Sequence, residues 1–174
     1  RFEPDEIKRG ARLKFVFVAD SNPASNPKRK VWGAETSAEF VVKYGSELGH
    51  DVSTVDPYNF DQDAILSADL LILRSIERFD DKQCTFLKSV LFEKLKPYVT
   101  YQHDYGFCKF RNSIKCMGRV GQKNCMECLT SSNKYFGGQI AFYTKLLSDA
   151  TLNVFISHPQ RHVFGEALGS SIDP

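Results

Sequence analysis

The chain reads as an α/β protein, a doubly wound, mainly parallel β-sheet with helices on both faces. Three observations predict this class. Two short, nearly continuous apolar runs, LKFVFVA (13–19) and DLLILRS (69–75), have the character of strands buried on both faces. Strand-like runs alternate with segments of helical periodicity from residue 13 onward, with no internal repeat or low-complexity tract. With 174 residues, 42% of them hydrophobic and 13% aromatic, the chain has the content of one packed domain and not of a disordered segment.

The elements follow in order. Residues 1–12 are a charged lead-in to a domain spanning 13–174, whose first strand is LKFVFVA. The polar, Pro- and Asn-rich DSNPASNPKRKVWG (20–33) is a long loop. The helix AETSAEFVVKYGSELGH (34–50) carries two rows at helical spacing: Ala38, Val41, Val42 and Ser46, and Phe40, Tyr44 and Leu48. Gly49 supplies its stop. DVSTVDP (51–57) alternates as a second strand, YNFDQDAILSA (58–68) holds a short helix, and DLLILRS is the third strand. DDKQCTFLKSVLFEKLK (80–96) has acids in its first turn and lysines in its last, as the helix dipole favours, with Phe86, Leu87, Val90, Leu91 and Leu95 on one side. PYVTYQHD (97–104) is a fourth strand, NKYFGGQIAFYTKLLSDA (133–150) a helix weakened by its Gly pair, and LNVFISH (152–158) a fifth strand. PQRHVFGEALG (159–169) closes as a helix with Pro159 in its first turn and Ser157 placed to cap it.

The formal charge of +2, from 23 basic and 21 acidic residues, carries no general preference for polyanions. The cysteine spacing matches no nucleic-acid finger or knuckle, so nucleic acid is a poor fit. No run of about eighteen apolar residues exists, and RFEPDEIKRGARLKF lacks the apolar centre of a secretory signal, so a soluble domain is expected. The opening on Arg1 and the close on GSSIDP read as cuts from something longer. No serine sits in a nucleophile elbow, which leaves a hydrolase triad unsupported.

In open α/β sheets, ligands sit outside the carboxyl ends of the strands. Three chemically distinctive segments fall there: the loop 20–35, His103-Asp104 with the cysteine-rich loop 105–132, and SHPQRH (157–162). WGAE (32–35) opening a helix, ELGHDV (47–52), HDYGFC (103–108), CMEC (125–128) and FISHPQ (155–160), in this order and on these elements, resemble the N-terminal half of GT-B glycosyltransferases, specifically glycosyltransferase family 4. The resemblance covers residues 13–174. It implies a Rossmann-like, acceptor-side domain that moves a sugar from a nucleotide-sugar donor to a hydroxyl of a glycan or lipid-linked acceptor. It also implies that transfer needs no metal, that the protein is cytoplasmic with peripheral contact to the inner face of a membrane, and that a second, donor-binding domain is required for activity. One departure is Trp32, which stands where the family's glycine pair begins and leaves the backbone less free to approach a diphosphate.

The same resemblance assigns candidate roles. His103 matches the histidine facing the donor sugar and Asp104 the neighbour that orients its imidazole, either being the candidate base. Trp32, Gly33, Ala34, Glu35 and His158 are implied to contact donor or acceptor, the helix N-terminus also offering N–H groups to an anion. Lys28, Arg29, Lys30, Arg111 and Arg119 are candidate anion-binding cations, since a leaving diphosphate develops negative charge. Read from the residues alone, GAE is equally a helix entry and His103 a half-buried histidine at a strand end. His162 reads as an exposed helix residue.

Four of the five cysteines lie in the spacing Cys108-x7-Cys116-x8-Cys125-x2-Cys128. Four thiolates suit a structural, tetrahedral zinc site, and Cys-x2-Cys is the usual half of one. The other half is irregular, so free thiols, disulfides in an oxidising compartment and, as a residual, an iron–sulfur cluster stay open. Lys109, Arg111, Lys115, Arg119 and Lys123 lie in that loop without an acid between Cys108 and Cys125, a pattern that fits either solvated charge or a lipid-diphosphate acceptor, charged glycan or membrane surface. A second class of function remains: a non-catalytic flavodoxin-like binding module whose zinc-stapled loop docks a partner.

Overall fold

The computed structural model describes residues 11–20, 33–76, 78–102 and 134–168. The chain divides into two compact units, Arg1–Tyr101 and Gln102–Pro174.

The first unit runs β1 (Lys14–Val18), α1 (Gly33–Glu47), β2 (Asp51–Val55), α2 (Gln62–Ser67), β3 (Leu70–Leu73), α3 (Asp81–Lys88), a π-helical turn (Ser89–Glu93) and β4 (Tyr98–Gln102). Its strands are all parallel in the order β2-β1-β3-β4. The expected doubly wound, Rossmann-like α/β class is therefore the one observed, and the direction of winding reverses between β1 and β3. Register pairs Val16 with Leu71 and Phe17 with Ile72. Alternation then divides the two central strands between two covered faces. Phe17 and Ala19, with Ile72, meet Val41 of α1. Val16, Val18, Leu71 and Leu73 are buried on the other side. Right-handed crossovers place α2 and α3 there, where their Ile65 and Leu87 are buried. Lys96 ties the end of α2 to the approach of β4, its Nζ donating to the carbonyls of Leu66 at 2.8 Å and Ala68 at 2.6 Å.

The segment ELGHDV has a structural task at the amino edge of this sheet. Gly49 has φ +87, a left-handed stop that side chains disfavour. A Cβ on Gly45 would lie 2.7 Å from Val52 Cγ2, so α1 passes close over β2. The His50 ring leans on Phe15 with centroids 4.9 Å apart, and its Nδ1 accepts from the Leu13 amide at 3.4 Å. The Asp51 amide donates to the Leu13 carbonyl at 2.8 Å.

Two helices differ from the sequence expectation. Of the two rows on α1, only the one containing Val41 packs; Phe40, Tyr44 and Leu48 face solvent, Phe40 and Tyr44 stacking on each other at 5.9 Å. The helix expected over 80–96 begins after an Asp80 cap, whose carboxylate accepts from the Gln83 amide while Gln83 returns a side-chain bond, and it stays α-helical only to Lys88. The π-helical turn then ends with Lys94 N–H donating to the Ser89 carbonyl at 3.0 Å and Lys96 N–H to the Val90 carbonyl at 3.2 Å. Between these two residues Leu95 adopts φ 52 and turns outward, 76% exposed, instead of joining Leu87, Val90 and Leu91 in the core. A left-handed non-glycine residue costs about 1–2 kcal/mol, and an exposed leucine recovers little of that. Leu95→Gly is accordingly expected to raise the thermal midpoint by about 2–4 °C, and a lower midpoint by calorimetry would contradict this reading of the turn.

The second unit contains α4 (Lys134–Ser148), β5 (Leu152–Phe155) and α5 (His158–Leu168). Tyr143, Leu146 and Leu147 of α4 and Phe164 and Leu168 of α5 are buried. Phe155 packs on Phe164 at 5.3 Å. Ser157 caps α5 as expected, its Oγ accepting from the Gln160 amide at 3.3 Å, while Gln160 Oε1 accepts from the Ile156 amide at 2.9 Å. Among the described residues, no helix is long and apolar enough to cross a membrane.

Candidate functional site

A parallel sheet gathers the carboxyl ends of its strands on one edge, and in the first unit that edge is charged. Asp20 follows β1, Asp56 follows β2, and Arg74 and Arg78 follow β3. The apolar run of β3 carries Arg74 straight into the interior: its amide donates to the Val18 carbonyl at 2.8 Å, and its side chain is 1% exposed. A buried guanidinium needs a counter-charge, and the residue leaving β1 provides it. Arg74 Nη2 lies 3.7 Å from Asp20 Oδ1, and Arg78 Nε lies 3.5 Å from Asp20 Oδ2. One carboxylate thus bridges two guanidiniums across the point where the winding reverses. The Arg74 guanidinium also stands over the Phe17 ring, 6.0 Å from its centroid.

Asp56 is buried beside this cluster, since the Ala19 amide donates to the Val55 carbonyl at 3.0 Å and so joins the two strand ends. Its Oδ1 accepts from the amides of Tyr58 at 2.8 Å and Asn59 at 2.9 Å, folding the turn after β2. Its Oδ2 is buried with no hydrogen-bond partner among the described residues. A carboxylate oxygen in that state is a ready acceptor for any donor that reaches it.

The expected site residues divide into three groups. Gly33, Ala34 and Glu35 form the first turn of α1, as the helix-entry reading required. His158 is the first residue of α5, and both it and His162 are exposed. Lys28, Arg29, Lys30, Trp32, His103, Asp104, Cys108, Arg111, Cys116, Arg119, Cys125 and Cys128 lie outside the described residues. His103 directly follows Gln102, the last residue of β4, in sequence. Among the described residues, no group of three or more His, Cys, Asp or Glu side chains is gathered for a metal ion.

Arg74, Arg78 and Asp56 were missed by sequence reasoning. A signal existed for Arg74: an arginine ending a continuous apolar strand cannot stay unpaired in the interior. Arg78 and Asp56 look like ordinary loop charges until the strand order is known. An open depression lined by Lys14, Asp61, Asp63, Ala64, Leu66 and Ser67 lies elsewhere, beside the start of β1, where Lys14 Nζ already donates to Ser67 Oγ at 2.6 Å.

Comparison with protein-family models finds no match, and a search of curated proteins finds none either.

Proposed function

We propose that the chain is the acceptor-side domain of a GT-B glycosyltransferase resembling family 4, working with a donor-binding domain to move a sugar from a nucleotide sugar to a hydroxyl of a glycan or lipid-linked acceptor. The observation that carries this reading is the agreement between motif order and element order in a doubly wound sheet. GAE opens α1, ELGHDV bridges α1 and β2, His103 is the next residue after β4, and SHPQ, beginning two residues after the end of β5, caps and opens α5. Of these, ELGHDV supports the fold, because its glycine and histidine act at the amino edge. The others supply the chemistry.

In this reading His103 positions the sugar or takes the acceptor proton, with Asp104 orienting its ring. The first turn of α1, with Trp32 and Glu35, faces the donor, and Lys28, Arg29, Lys30, Arg111 and Arg119 meet anionic groups. His158 contacts the acceptor. A structural zinc on Cys108, Cys116, Cys125 and Cys128 would staple the lip of the acceptor site without entering the reaction. The location that fits is cytoplasmic, with the basic loop against the inner face of a membrane.

Saturation-transfer NMR on the chain tests the reading. Glycan or lipid-linked acceptors are expected to bind, nucleotide sugars to bind weakly, and transfer to be absent without a donor domain. His103→Ala is expected to weaken sugar binding by roughly tenfold. Robust turnover by the chain alone, or no binding of either ligand class, overturns it.

The strand order β2-β1-β3-β4, shared with flavodoxin-like proteins, favours one second reading, a non-catalytic module with a zinc-stapled loop. About one zinc per chain, with protected thiols and no sugar ligand, would support that alternative.

A further inference from the structure

We draw no further inference here: the strongest candidate, the exposed apolar row of Phe40, Tyr44 and Leu48 along α1, carries none because nothing in the structure shows what covers it.

Discussion

Replacing Arg74 with methionine is expected to lower the stability of the chain by about 3–5 kcal/mol. Methionine keeps much of the volume of the arginine stem but removes the charge that faces Asp20 Oδ1 at 3.7 Å. Arg78 still reaches the other carboxylate oxygen, which places the loss toward the lower end of that range. Asp20→Asn is expected to cost as much or more, because the guanidinium left without this counter-charge is 1% exposed and cannot hydrate in place. The double variant Asp20→Leu with Arg74→Met should cost clearly less than the two single losses added together, since removing both charges ends the desolvation penalty as well as the attraction. Urea unfolding at neutral pH measures all three. Stability of a domain is about 5–15 kcal/mol in total, so each single change should move the midpoint visibly without altering the slope. Single losses below about 1 kcal/mol would mean that the cluster behaves as a solvated surface pair.

Phe17→Ala should be comparably damaging, at about 3–5 kcal/mol. Phe17 is buried in the central strand, packed with Ala19 against Val41 of α1 and Ile72 of β3, so deleting its ring opens a cavity between sheet and helix. The ring also underlies the Arg74 guanidinium at 6.0 Å. Phe17→Leu separates the two contributions. It nearly fills the space, at a packing cost below about 1.5 kcal/mol, while removing the cation–ring contact. The effect of Phe17→Leu should therefore shrink in an Arg74→Met background, and strict additivity would show that the core and the charged edge are energetically independent.

The buried pair also explains why the site was only partly legible. LKFVFVA and DLLILRS announce buried strands through composition alone, because a strand covered on both faces has no polar alternation to keep. Gly49 announces a left-handed stop, and its φ of +87 is what that required. Such signals are local and survive without knowledge of neighbours. The failures also have local causes. The row Phe40, Tyr44 and Leu48 has the same spacing and apolarity as the row that packs, and periodicity cannot say which of two rows meets the sheet. Leu95 continues the helical pattern perfectly, yet the π-helical turn rotates it out of phase.

By itself the sequence determined the class of the fold, the order of strands and helices along the first unit, and the segments that leave the carboxyl ends of its strands, because each depends on the periodicity and backbone preferences of a few adjacent residues. The tertiary structure decided the order β2-β1-β3-β4 and, with it, that Asp20 meets Arg74 and Arg78. That choice rests on which strands share hydrogen bonds, and every buried parallel strand offers its neighbours the same row of amides and carbonyls. The charged edge exists because β1 and β3 were paired, and only pairing could bring Asp20 to the two arginines that follow β3.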